Sequence, residues 1–143
     1  MVKLRATIES DLPLLTEWLK ADPWHKDEAR NDPSTLLTGK GLLSFCLCDD
    51  EGPLCFSRLD KEGELIRVAV QFAPEGTVSK RRLIVGMMRS FFPAIKQFAV
   101  DQKAEGLIYE SVSPTLIAFC DKQGFKSVGD NQYVWPNGVI QHV

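Results

Sequence analysis

Polar and apolar residues alternate from position 4 to position 8, and apolar residues then recur at helical spacing at Leu12, Leu15, Trp18 and Leu19. The chain therefore opens as a strand followed by an amphipathic helix. Ser10 fits the N-cap, Pro13 sits in the first turn where a missing N–H costs nothing, and Asp22-Pro23 ends the helix. The polar stretch 24–41 is broken again at Asp32-Pro33. It reads as a short helix or irregular loop placed to shape a pocket over the open side of a sheet. Residues 42–48 and 54–59 form a hairpin around Asp49, Asp50, Glu51 and Gly52, and a second turn at Lys61-Glu62-Gly63 leads into LIRVAVQF at 65–72. That run is rich in β-branched residues and nearly continuous in apolar character, as a central strand requires.

After a break at Ala73, Pro74, Glu75 and Gly76, a long helical pattern places Leu83, Met87, Phe91, Ile95 and Phe98 on one side. Pro93 falls inside it and must kink it, because it lacks an N–H and its ring crowds the carbonyl of Arg89. Ala104-Glu105-Gly106 ends the helix. Residues 107–112 read as a strand, Pro114 opens a further helix closed by Gly124-Phe125, and 125–128 with 132–135 make a final hairpin around Gly129, Asp130 and Asn131. The alternation in the second half implies a βαβ crossover and a mixed sheet with helices on both faces.

At 143 residues the chain suits one domain spanning 1–143. No segment reads as about 20 continuous apolar residues, and the opening MVKLRATIESDL lacks the apolar core of a signal peptide. A cytoplasmic location is the expectation. The net charge of −2 conceals a segregated distribution: from 78 to 103 the ionic residues are Lys80, Arg81, Arg82, Arg89, Lys96 and Lys103 against Asp101 alone. The cluster Lys80-Arg81-Arg82 is either an anion site or a solvated helix start. No aromatic residues interleave a basic stripe, so nucleic acid is not an expected partner, and neither is a membrane. With a four-residue turn, Cys46 would face Cys55 across the first hairpin. Cys46 and Cys48 are one residue apart, not the two usual for paired zinc ligands, so these cysteines read as small reduced strand residues and no metal is expected.

The element order, the opening LRATIESDLPLLTEWL, the central strand ending before Pro74 and the segment Ala118-Phe119-Cys120-Asp121-Lys122-Gln123-Gly124-Phe125 resemble the GNAT superfamily of N-acetyltransferases over nearly the whole chain. The resemblance implies an α/β (α+β) fold, a mixed, mostly antiparallel sheet of six to seven strands with helices on both faces. It implies acetyl-CoA as cofactor and an amine, small or protein-borne, as acceptor. Phe72 and Ala73 correspond to the edge that pairs with pantetheine, and amides near Phe72 to the group that polarises the thioester carbonyl. Val78, Ser79, Lys80, Arg81, Arg82 and Leu83 correspond to the pyrophosphate loop at a helix N-terminus.

The fifth strand splays in that family, and Glu110 beside the splay is either the candidate general base, directly or through water, or an ordinary outward-facing strand carboxylate. Ser113 stands where the family often has Asn, to bond the coenzyme or to cap the next helix, and Cys120 stands where a tyrosine often reprotonates the leaving thiolate. Two departures mark a divergent member with a degenerate phosphate loop. The two glycine positions of the loop hold Arg82 and Ile84, and Gly86 lies too far along to substitute. The alternative reading is a GNAT-shaped binding or assembly module without coenzyme A. His25 reads either as a lone surface histidine or as a residue lining an acceptor pocket, and exposed edge strands would allow a homodimer.

Overall fold

The computed structural model describes residues 2–22, 43–111 and 113–136. The loop expected over 24–41, with His25, lies outside the described residues. Among the described residues seven strands form one sheet: β1 Lys3–Ala6, β2 Leu43–Asp49, β3 Gly52–Glu62, β4 Leu65–Phe72, β5 Gly106–Glu110, β6 Lys126–Gly129 and β7 Gln132–Pro136, in the order β1-β2-β3-β4-β5-β7-β6. All neighbours are antiparallel except β4 and β5, whose parallel pairing follows from the helical crossover between them. The mixed sheet inferred from the alternation of elements is the fold observed.

Helices cover both faces. Helix α2, Lys80–Asp101, and α3, Pro114–Lys122, cover one face, and the main core lies beneath them: Leu47, Leu54, Leu59, Ile66, Met87, Phe91, Ile95, Leu107, Tyr109 and Phe125 are all buried there. Helix α1, Leu12–Ala21, covers the other face with a smaller cluster of Leu15, Trp18, Cys46, Cys48 and Phe56. By length and average composition α2 could span a bilayer, contrary to the expectation from its sequence. Met87, Phe91, Phe92 and Ile95 lie in the core with Leu83 and Phe98 packed against it, Ile84 is exposed, and Arg89 and Lys96 interrupt the apolar run. Gly86 explains how closely α2 approaches: a Cβ there would stand 2.8 Å from Leu54 Cδ1 and 3.1 Å from Leu47 Cδ2.

Three local expectations change. Asp11, not Ser10, organises the start of α1, through a 3-10 turn at Glu9–Asp11. Its carboxylate accepts the Ile8 N–H at 2.8 Å and two bonds from the Arg5 guanidinium at 2.8 and 2.9 Å, an ionic fork that a hydroxyl cannot match. Cys46 does not face Cys55: it pairs with Phe56, because a bulge between Leu47 and Cys48 shifts the register by one. A one-residue shift exchanges faces, so Cys46 packs under α1 and Cys55 in the main core. All four cysteines are free and buried, and burial pushes the Cys46 thiol up to about 12. The disturbance at Pro93 takes the form of a π turn over Met87–Phe91, in which the Phe92 N–H donates to the Met87 carbonyl five residues back. Pro93 thereby falls in the first turn of the next α segment, Phe92–Asp101, where its missing N–H is not required.

Candidate functional site

Strands β4 and β5 are paired at Leu65↔Gly106, Ile66↔Leu107 and Arg67↔Ile108 only. Beyond Arg67, β4 continues to Phe72 with no strand on that side among the described residues, while the Ser111 N–H donates to Asn131 O at 3.0 Å and ties the exit of β5 to the β6–β7 turn. A wedge opens between them. The Ala73 N–H points to β3, donating to Leu54 O at 3.3 Å, and main-chain groups alternate along a strand. Val68, Val70 and Phe72 therefore turn their amides toward the wedge. The Phe72 carbonyl is bonded at 3.1 Å by Gln71 Nε2, which also donates to Asp22 Oδ2 at 3.0 Å; Gln71 is 5% exposed and links the end of β4 to the end of α1.

The chain leaves β4 through a loop that leads straight into α2. Gly76 takes φ +88, a left-handed conformation, and Thr77 Oγ1 donates to Pro74 O at 2.6 Å. Ser79 caps α2, its hydroxyl oxygen accepting the Arg82 N–H at 3.2 Å. The amides of Lys80 and Arg81 remain first-turn donors, and both side chains are exposed. Val78 and Leu83 are half-buried against the core. Arg82 turns away from this group. Its Nε and Nη2 donate to Asp49 at 2.7 and 2.6 Å, and Nε lies 3.3 Å from Glu51 Oε2, both on the β2–β3 turn. The guanidinium holds the Asp49 carboxyl down to about 2. Lys96 is likewise engaged: its ammonium donates to Gln123 O and Oε1 at 3.0 and 2.8 Å and lies 5.3 Å above the Trp135 ring, clamping α2 to α3. Of the basic segment near the loop, Lys80 and Arg81 are the exposed cations.

The two residues expected to do chemistry are separated by the sheet. Glu110 lies at the end of β5, exposed, on the α1 face, and Gln132 Nε2 donates to its Oε2 at 2.9 Å. Tyr109 beside it points to the opposite face, where Cys120 lies 1% exposed with its thiol pushed up to about 12, chiefly by burial. Ser113 caps α3, its hydroxyl oxygen accepting the Leu116 N–H at 3.5 Å, while its own N–H donates to Ser111 Oγ at 3.0 Å. Sequence reasoning did not single out Asp49, Arg67, Gln71 or Gln132. The local signals were Arg67 and Gln71, the two polar residues of a strand that is apolar elsewhere.

Tyr109 is 2% exposed, and although the Cys120 thiol lies beside its hydroxyl, Tyr109 Oη makes no well-formed hydrogen bond among the described residues. An unpaired buried hydroxyl costs about 1–3 kcal/mol, while the ring, stacked on Tyr133 at 5.1 Å and edge-on to Phe125 at 5.3 Å, is stabilising. Tyr109→Phe is therefore expected to raise the free energy of unfolding by about 1 kcal/mol. Urea denaturation checks this, and a clear loss of stability would show that the hydroxyl has a partner.

No family model and no curated protein sequence matches the chain. Solved structures do. The ribosomal-protein-S18-alanine N-acetyltransferase from Escherichia coli superposes with a TM-score of 0.66 at 14% identity, over 95% of this chain and 94% of that one. An acetyltransferase of the GNAT family from Staphylococcus aureus Mu50 gives 0.72 at 12% identity, over 96% and 99%. The aminoglycoside acetyltransferase AAC(6')-Ib, solved with ribostamycin and coenzyme A, gives 0.68 at 16% identity, over 99% and 97%. At such identities the likeness is one of fold, and the described residues share the fold of these acetyltransferases.

Proposed function

We propose that the chain is an acyl-CoA-dependent N-acetyltransferase that moves an acetyl group from acetyl-CoA to an amine. The observation that carries this reading is the unpaired edge of β4 along the wedge, continuous through residues 73–79 with the capped, cationic start of α2. An open strand edge suits the amides of pantetheine, and first-turn N–H groups with Lys80 and Arg81 suit a diphosphate. The residues fit that group in part, since Arg82 is committed to Asp49 and no glycine stands at 82 or 84. When bound, the coenzyme supplies the activated acetyl carbonyl. The chain would supply a Phe72 N–H directed at that carbonyl and the Glu110 carboxylate, which takes a proton from the attacking amine directly or through water. Cys120, buried across the sheet from Glu110, holds its proton at neutral pH and supplies at most a proton to sulfur.

Acetyl-CoA should stabilise the folded chain by about 2.7 kcal/mol at 100 times its Kd, read as a rise in melting temperature. Glu110→Gln should keep that rise and lower kcat with an amine acceptor by about 100-fold or more. The engagement of Arg82 by Asp49 favours a second reading, a GNAT-fold binding module without coenzyme. The absence of any thermal shift at millimolar acetyl-CoA would remove the enzyme reading, whereas the module reading stands only on a demonstrated binding partner.

A further inference from the structure

A chain of side-chain bonds crosses the α1 face of the sheet immediately below the wedge. Glu62, at the end of β3, accepts two bonds from Arg67 on β4, at 2.7 and 2.8 Å. Arg67 Nη2 then reaches over β5, whose Ile108 is its partner in the last β4–β5 pair, and donates to Gln132 Oε1 on β7 at 3.2 Å. Gln132 Nε2 donates to Glu110 Oε2, and the two residues are directly opposite in the β5–β7 ladder. The polarity of this relay is fixed by its ends. A guanidinium only donates and an ionised carboxylate only accepts, so the amide between them has one orientation, oxygen to Arg67 and nitrogen to Glu110. The cation on the amide oxygen also strengthens the N–H that faces Glu110.

We infer that Gln132 and Arg67 are positioning residues for Glu110: the amide, oriented by the guanidinium, pins one carboxylate oxygen and leaves the other directed to the acceptor amine. The inference rests on the acetyltransferase reading. An exposed glutamate at a strand end otherwise samples several rotamers, and a base displaced by about 1 Å loses about 100-fold in rate. The bridge also stands where main-chain pairing between β4 and β5 stops, so it holds the two sides of the wedge at a fixed separation on the face where Glu110 lies.

The test is a double-mutant cycle with acetyl-CoA and a primary-amine acceptor, together with the 1H–15N spectrum of the Gln132 side-chain amide. Gln132→Leu and Arg67→Met should each lower kcat by about 10-fold to 100-fold with the KM for acetyl-CoA held within about twofold. Added to Glu110→Gln, neither should lower kcat further, because the group they orient is gone. In wild type the Gln132 amide resonances should shift on Glu110→Gln and on Arg67→Met. Arg67→Lys, which keeps the charge and loses the fork, should recover part of the loss. Full additivity with Glu110→Gln, or an unchanged kcat in a folded Gln132→Leu, overturns the inference while leaving the acetyltransferase reading in place. A wild type without transfer activity overturns that reading, and the amide spectrum then decides the bridge by itself: resonances indifferent to both substitutions overturn it, resonances that move with both sustain it.

Discussion

Gly106→Ala is expected to cost more than about 3 kcal/mol and to leave little folded protein at ambient temperature. A Cβ at that position would stand 2.1 Å from the carbonyl oxygen of Trp135, 3.1 Å from its carbon and 3.2 Å from Pro136 Cα. All three are main-chain atoms of β7, so no rotamer change relieves the clash. Either β5 moves from β7 or the main chain distorts, and β5 has little room to move. Gly106 also pairs with Leu65 at the start of the parallel ladder, and that ladder consists of three residue pairs. Loss of the Gly106 position therefore loosens the β4–β5 junction on which the wedge depends. Gly86→Ala provides the contrast, because its nearest neighbours are the flexible tips of Leu54 and Leu47, at 2.8 and 3.1 Å. Those tips give way for about 1 kcal/mol. Guanidinium denaturation of the two variants should rank them well apart, and a Gly106→Ala chain within 1 kcal/mol of wild type would refute the close β5–β7 approach.

What was legible in the sequence was set by local chemistry, and what was missed was set by partners distant along the chain. LIRVAVQF predicts β4 at 65–72 and the structure has Leu65–Phe72, because an apolar β-branched run has few other ways to fold. Helix α2 and the Ser113 cap are similarly local in origin, whereas the cap at Ser79 was not singled out in the sequence. The register of the first hairpin was not, since a bulge leaves no residue pattern that identifies it in advance. The start of α1 was drawn to Asp11 by Arg5 on the preceding strand, a contact that overrides the preference for serine as a cap. At the candidate site, Glu110 and the segment 78–83 stood out as residue types in suggestive places. Their partners did not: Asp49 is 33 positions from Arg82, and Gln132 is 65 from Arg67. Each is unremarkable in its own segment, a turn aspartate and a hairpin glutamine, and acquires meaning only when the sheet brings it opposite a charge.

That distance effect gives the second large expected result, a division of labour among three consecutive cations. Lys80→Ala with Arg81→Ala should weaken acetyl-CoA binding by about 100-fold or more, since a hydrogen bond to a charged group is worth about 1.5–3 kcal/mol and two are removed. Calorimetric titration measures it, with the stability of the chain nearly unchanged because both side chains are exposed. Arg82→Ala should behave in the opposite way. It leaves Asp49 without its guanidinium, so it should lower stability while changing affinity by less than about threefold. The pH dependence separates them further. Asp49 has a folded-state value of about 2, below its ordinary 3.8, so it contributes stability that is fully present above about pH 4 and is lost as pH falls toward 2. Wild type and the Lys80-Arg81 variant should share that acid limb, and in Arg82→Ala it should shrink to what Asp11, Glu62 and the main-chain bonds to Asp49 still contribute. Should Arg82→Ala instead lose affinity as strongly as the double variant, the fork to Asp49 must open when the coenzyme arrives. The β2–β3 turn would then compete with the diphosphate for the same guanidinium, and Asp49→Asn would tighten binding.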